Sequence, residues 1–266
     1  MQPTPFLLEQ LGDVGMHQQE IETLFEGRVA WDGPPGAIGH PLIVIAFTNR
    51  CGSNYLAELM RSTGQIAGLG EALNADAIAT RCDRWEIDSF PAYFRTLAER
   101  HKKPFGMKAS WDQLLMLLRW RIHEMHAGLR VVHIYRRDVI GQAISRDIAW
   151  QTRKWTSLTE VEHAVTPNYD ATRIGQQITA IQREEGLLPL IFDAYDLPVV
   201  HVAYEDLVAR PAAVVRSTMQ AIGHPCPDWQ RKPTRIKKHA DATNDAFRAR
   251  YRELLQRRCI GADRTG

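Results

Sequence analysis

At 266 residues, with 44% hydrophobic and 24% charged content, the chain has a globular composition that excludes a disordered protein. Its 33 Lys and Arg against 31 Asp and Glu leave a net charge of +2, too small for a global field that would draw in nucleic acid. The four cysteines (Cys51, Cys82, Cys226, Cys259) form no C-x-x-C pair, which argues against a zinc site or a disulfide scaffold and for a reducing, cytoplasmic compartment.

Residues 1–40 stand apart in composition and read as an N-terminal extension. Met1 to Gln10 has no basic residue ahead of its apolar stretch, so no secretory signal is expected. Short helices are expected at Phe6–Leu11 and Ile21–Phe25, with a break at Asp32–Gly36. The main domain is expected at 41–266. Leu42–Phe47 is continuously apolar, as for a strand buried on both faces, and falls far short of the ~18 residues of a membrane span. Leu56, Leu59 and Met60 follow at helical spacing. A helix is expected over Trp111–Met125 and a second core strand over Arg130–Tyr135. Ile140, Ala143, Ile144 and Ile148 then give a helix with Asp138 as its N-cap. Ile174–Glu185 reads as a helix, Pro198–Val202 as a strand, and Val214, Val215, Met219 and Ile222 as a helix. The alternation predicts an α/β fold with a central, mainly parallel sheet flanked by helices. Gln230 to Arg258 closes the chain with ten Lys/Arg against three acids. Most of these charges fit a solvated face, and Lys237 and Lys238, ahead of the last helix, are the better candidates for an anion.

Two stretches carry chemistry. Phe47 to Leu56 runs from a buried strand through a polar turn into a helix, so unpaired N–H groups and the helix dipole suit a phosphate there. Arg50 adds a planar donor fork, and Ser53 and Asn54 add short donors. Neither G-x-G-x-x-G nor G-x-x-x-x-G-K-[S/T] is present, and no Lys follows Gly52, which disfavours a magnesium–triphosphate site. An ordinary strand-to-helix connection is the plainer reading. The second stretch is Arg136 and Arg137 at the end of the second strand, with Ser145 two helical turns on. Ligands of open α/β sheets gather outside the carboxyl ends of the strands, so both stretches should reach one crevice as two separate anion sites. Either arginine could instead be a surface ion-pair residue.

With these residues in view, the chain resembles sulfotransferases that use 3′-phosphoadenosine 5′-phosphosulfate, in the bacterial family typified by trehalose 2-sulfotransferase. The family loop S-Q-R-S-G-S-T-L-L is matched by Thr48 to Leu56, T-N-R-C-G-S-N-Y-L. The family segment H-I-H-R-P-D-V-V-S-Q-A-V-S is matched by His133 to Ser145, H-I-Y-R-R-D-V-I-G-Q-A-I-S. Gln151-Thr152-Arg153 with Trp155, Tyr204 to Leu207 with Arg210-Pro211, and His239 to Asp241 leading to Arg252 also resemble family segments. The resemblance implies a P-loop-NTPase-like three-layer fold. It implies a cofactor site of Arg50, Cys51, Gly52, Ser53 and Asn54 for the 5′-phosphosulfate, Arg136 and Ser145 for the 3′-phosphate, and Lys238 in the C-terminal loop. It also implies a homodimer and no metal.

Glu71 matches the second glutamate of a family G-E-P-x-E segment that carries the general base, although the first glutamate and the proline are missing; a solvated loop carboxylate is the alternative. His133, in a strand, reads as core. Lys108 and Trp111 resemble a G-G-K-L-M-W segment and are candidate sugar contacts, with packing the other reading for Trp111. The implied reaction is in-line sulfuryl transfer to a hydroxyl of a sugar or glycolipid, with Glu71 as base and Arg50 as an electrostatic clamp. Asn74–Ser89 and Thr156–Asp170 are the expected acceptor loops. The alternatives are a non-catalytic nucleotide-binding sensor and a small-molecule kinase.

Overall fold

The computed structural model describes residues 7–101, 103–155, 165–231, 233–234 and 242–260. Helices α1 (Leu7–Gly12) and α2 (Met16–Leu24) come first, near the expected positions. Strand β1 (Leu42–Phe47) is fully buried, as its unbroken apolar run requires. Its odd and even residues serve different layers. Leu42, Val44 and Ala46 face one core and Ile43, Ile45 and Phe47 the other.

Next come α3 (Ser53–Ser62), β2 (Ala67–Gly70), α4 (Ala75–Trp85), α5 (Phe90–Glu99), β3 (Phe105–Ala109) and α6 (Trp111–Arg119). The segment expected as an acceptor loop, Asn74–Ser89, is therefore mostly helix. Ile78 and Cys82, one turn apart, are its buried stripe, and polar neighbours dilute that signal in the sequence. The helix expected to reach Met125 stops at Arg119. Arg121 adopts a left-handed φ of 57°, and a short 3-10 turn, Ile122–Met125, follows.

β4 (Leu129–Tyr135) leads to α7 (Val139–Thr152), whose N-cap is Asp138, accepting from the Gly141 amide at 3.0 Å. α8 (Ala171–Ala194) is twice the expected length and runs through Pro189. β5 (Val199–Ala203), α9 (Tyr204–Ala209), α10 (Pro211–Ala221) and α11 (Ala242–Ile260) complete the chain.

The five strands pair in the order β2-β3-β1-β4-β5, every pair parallel. One face carries α2, α4, α5, α6 and the end of α8; α3 and α10 cover the other. A third cluster joins α7, α8 and α11. Ile21, Phe25, Val29 and Trp31 belong to the first core, so part of the N-terminal segment packs as body.

Candidate active site

A parallel sheet puts all strand ends at one edge, and β1 lies at its centre, with β3 on one side and β4 on the other. The chain leaves that centre in both directions, which opens a crevice above β1. The turn from β1 to α3 occupies it. Arg50 and Gly52 both have left-handed backbones, with φ of 69° and 96°. Glycine is required at 52 for a second reason: a Cβ there would stand 2.3 Å from Cδ2 of Tyr204. Arg50 has no such licence, and surrounding bonds hold it. Its Nε donates to Ser145 Oγ at 2.9 Å and its Nη1 to the Trp155 carbonyl at 2.5 Å. Tyr55 and Leu56 donate to the Gly52 carbonyl, and helix geometry leaves the amides before them without intrahelical acceptors.

The Arg50–Ser145 bond joins the two stretches that the sequence suggests as separate anion sites. Arg136 lies beside them, its guanidinium carbon 5.3 Å from the Tyr204 ring centre. Arg136 Nη2 reaches Asp138 at 3.0 Å, but Arg248 takes both oxygens of that carboxylate, at 2.6 and 2.8 Å. Burial would raise the Asp138 carboxyl. The Arg248 bonds, the Gly141 amide and the Arg136 charge outweigh it and hold the group at about 2. A Cβ on Gly141 would intrude on Asp138, Arg136 and Arg248 together, at 2.1–2.8 Å. Burial first, then the Arg136 charge, pulls Arg50 below the ordinary arginine value. No carboxylate among the described residues forms an ion pair with Arg50, and Arg136 Nε is buried without a partner. Asp138 thus answers Arg136 and Arg248 together while Arg50 pairs with no carboxylate among the described residues, an arrangement that suits an anionic ligand.

Arg137 takes the plainer reading. It is exposed and paired with Asp206. Glu205 accepts from the Arg137 and Asp138 amides, both at 3.2 Å, so the Tyr204-Glu205-Asp206 segment fastens the β4–α7 turn.

On the β3 side, Lys108 is 3% exposed and lies opposite Ile45. Its Nζ donates to Asn54 Oδ1 and, at 2.6 Å, to Glu71 Oε1. Asn54 thus keeps its amide hydrogens for another acceptor. Asn74 donates to the other Glu71 oxygen at 3.1 Å. Burial would raise the Glu71 carboxyl, but the Lys108 charge and the two hydrogen bonds prevail and hold it below the carboxylate range. Tyr93 of α5 donates to the Ala72 carbonyl at 2.8 Å and pins the Glu71 turn from below. Trp111 packs partly buried against the first core. Lys238 lies outside the described residues, as does most of the Thr156–Asp170 segment.

The Cys51 side chain faces the core with Leu56 and Ile45, so the loop presents no thiol. Burial and then the nearby Glu185 charge push that thiol up to about 12. Cys82 is buried and pushed up to about 11, and Cys226 is buried and raised. Cys259 alone of the four is exposed. A disulfide reagent added to the native protein should therefore label one thiol quickly, Cys259 by peptide mapping, and all four after unfolding. Fast labelling of Cys51 would contradict its packing.

Sequence reasoning missed Arg248 as an individual residue, since it lies within a basic run. It also missed Thr48, Gln142 and Glu185, whose bonds connect elements far apart in the chain.

The Stf0 sulphotransferase family matches residues 42–254. Trehalose 2-sulfotransferase of Mycolicibacterium smegmatis is 30% identical over 181 residues, 62% of this chain and 67% of that protein. Trehalose 2-sulfotransferase of Mycobacterium tuberculosis is 25% identical over 255 residues, 80% of this chain and 94% of that protein. Among solved structures, the sulfotransferase domain of the Synechococcus PCC 7002 olefin synthase superposes with a TM-score of 0.53 at 12% identity. It covers 84% of this chain and 90% of that one, and shares the fold.

Proposed function

The chain belongs to the Stf0 sulphotransferase family and is a sulfotransferase, and from that premise we propose that it moves a sulfuryl group from 3′-phosphoadenosine 5′-phosphosulfate to a carbohydrate hydroxyl. The observation that carries the donor assignment is the pair Arg50 and Arg136, partly buried side by side with too little negative charge to satisfy both. A nucleotide with phosphate at two positions supplies what they lack. In this reading Gly52, Ser53 and Asn54 receive the phosphosulfate with Arg50, Cys51 contributes backbone alone, and Arg136 and Ser145 receive the 3′-phosphate. Lys238 remains a proposed cofactor contact.

The donor supplies an activated S–O bond with adenosine 3′,5′-bisphosphate as leaving group. The acceptor oxygen bonds to sulfur, the bridging S–O bond breaks, and the acceptor proton goes to Glu71. Burial opposes ionisation, but the Lys108 charge and the two hydrogen bonds outweigh it and lower the Glu71 carboxyl, which favours the proton-accepting form, though as a weak base. Arg50, fixed by Ser145 and Trp155, stabilises charge on the departing oxygen without moving. Lys108 acts from beneath, setting Glu71 and Asn54 relative to each other. Trp111 and Lys108 keep their proposed places at the acceptor end. The trehalose enzymes among the relatives support a sugar, free or lipid-linked, as acceptor. The proposal includes an N-terminal extension at 1–40, a domain at 41–266, and a homodimer. Four unpaired thiols fit a reducing, cytoplasmic setting.

Calorimetric titration tests the donor site. Wild type should bind adenosine 3′,5′-bisphosphate at least about tenfold more tightly than 5′-AMP, the worth of one charge-assisted contact. Arg136→Ala should erase that preference while folding normally, because Asp138 keeps Arg248. Equal affinity of wild type for both nucleotides would sink the reading.

A further inference from the structure

Behind the Arg50 loop runs a chain of polar side chains that the reaction above leaves unused. Gln142 Nε2 donates to Thr48 Oγ1 at 2.8 Å and to the Asn49 carbonyl at 2.9 Å. Thr48 Oγ1 lies 2.7 Å from Glu185 Oε1, on α8. The other Glu185 oxygen is 3.0 Å from His133 Nε2, and His133 Nδ1 is 3.2 Å from His201 Nδ1. Thr48, Gln142 and His133 are buried, whereas His201 opens to solvent. Five elements meet through these contacts: the end of β1, then α7, α8, β4 and β5.

The donor directions follow from one group. An ionised carboxylate only accepts, so the Thr48 hydroxyl and His133 Nε2–H both point at Glu185. With its own proton committed, the Thr48 oxygen accepts from Gln142. In the neutral form of His133 that carries its proton on Nε2, Nδ1 is bare and accepts from His201 Nδ1–H. With His133 in that form every proton in the chain has a single direction, and Glu185 sets it.

A carboxylate near a site built for anions weakens that site electrostatically. Its place here calls for a return, and the geometry offers one. Thr48 is where β1 becomes loop, and the Asn49 carbonyl directly precedes Arg50, whose left-handed backbone does not hold itself. We propose that Glu185 is a positioning residue for the anion loop. Through Thr48 directly, and through the Thr48–Gln142 bond to Asn49, it presents the Arg50 guanidinium already placed, so that little ordering is left to ligand binding. This inference rests on the proposed donor site, and its test separates the two.

Wild type, Glu185→Ala, Glu185→Gln and Thr48→Val are titrated with adenosine 3′,5′-bisphosphate. Amide hydrogen exchange at Asn49–Gly52 is measured in parallel without nucleotide. Glu185→Ala and Thr48→Val should each weaken binding by about tenfold or more, the range for losing a hydrogen bond to a charged group, and should speed exchange in the loop. Glutamine can accept from Thr48 through its oxygen and donate through its amide to His133 in the other tautomer. Glu185→Gln should therefore stay within about threefold of wild type, and ¹⁵N spectra should show the His133 proton moved from Nε2 to Nδ1. If Glu185→Ala does not fold, Thr48→Val carries the test. Unchanged loop exchange in the Ala and Val variants would overturn the proposal, as would a Gln variant as impaired as the Ala variant. Failure of wild type to bind the nucleotide removes the donor reading instead, and the exchange arm still decides this one.

Discussion

Glu71→Gln should lower kcat by about 10²–10⁴-fold, the range for loss of a positioned general base, and leave adenosine 3′,5′-bisphosphate binding intact. Glutamine's oxygen can still accept from Lys108, and its amide can donate to Asn74 Oδ1 once the Asn74 amide turns over, but it cannot take a proton. The companion variant Lys108→Met tests how the base is tuned. In wild type, burial pushes the Glu71 carboxyl up, and the Lys108 charge and the two hydrogen bonds push it further down. With lysine gone, burial acts almost unopposed, and the carboxyl rises. The acid limb of a pH–rate profile should accordingly move to higher pH in Lys108→Met. The same sign governs stability. Because the folded carboxyl is depressed, the Lys108–Glu71 pair contributes fully above the unfolded carboxylate value, and that contribution is lost as pH falls through the folded one. A Glu71→Gln enzyme at wild-type rate would move the base to another residue.

Arg50→Ala should lower kcat by about 10²–10³-fold, the size of effect seen when one preorganised donor to a developing oxyanion is removed. It should also weaken nucleotide binding, since Arg136 then faces the ligand alone. Arg50→Lys separates charge from geometry. Lysine keeps the cation but lacks the fork that bonds Ser145 Oγ and the Trp155 carbonyl together, so it should restore binding further than rate. Single-turnover rates beside calorimetric affinities read the two effects apart. A rate in Arg50→Ala within about threefold of wild type would remove Arg50 from the reacting centre.

The parts of the fold that could be read from sequence share one trait: unbroken or strictly periodic apolar patterns. β1 was expected over Leu42–Phe47 and lies there, and Asp138 caps α7 as its type and position suggest. β2 and β3 were missed for a physical reason. Ala67–Gly70 contains two glycines and a left-handed Leu69, and its register with β3 breaks between Gly68 and Gly70. Phe105–Ala109 includes Gly106 and Lys108, a lysine that a local pattern places at the surface and that Glu71 and Asn54 allow to be buried. The candidate site shows the same divide. Arg50, Arg136 and Ser145 sit within contiguous motifs and could be named. The Arg50–Ser145 bond, Arg248's claim on Asp138 and the Glu185 chain arise from residues brought together by the sheet order, which no local window contains.

The seating of Ile21, Phe25, Val29 and Trp31 in the first core bears on how the chain matures during synthesis. Phe25 meets Phe90 at 5.8 Å between ring centres, Phe90 meets Trp120 at 5.2 Å, and the Trp31 amide bonds the Trp120 carbonyl at 2.8 Å. At ~5–20 residues per second, these partners leave the ribosome several seconds after the segment that needs them. Each of the four side chains gains about 1.5–3 kcal/mol from burial that must wait until then. This segment therefore emerges before the partners that seat it, and during that interval its apolar residues are open to chaperones and proteases.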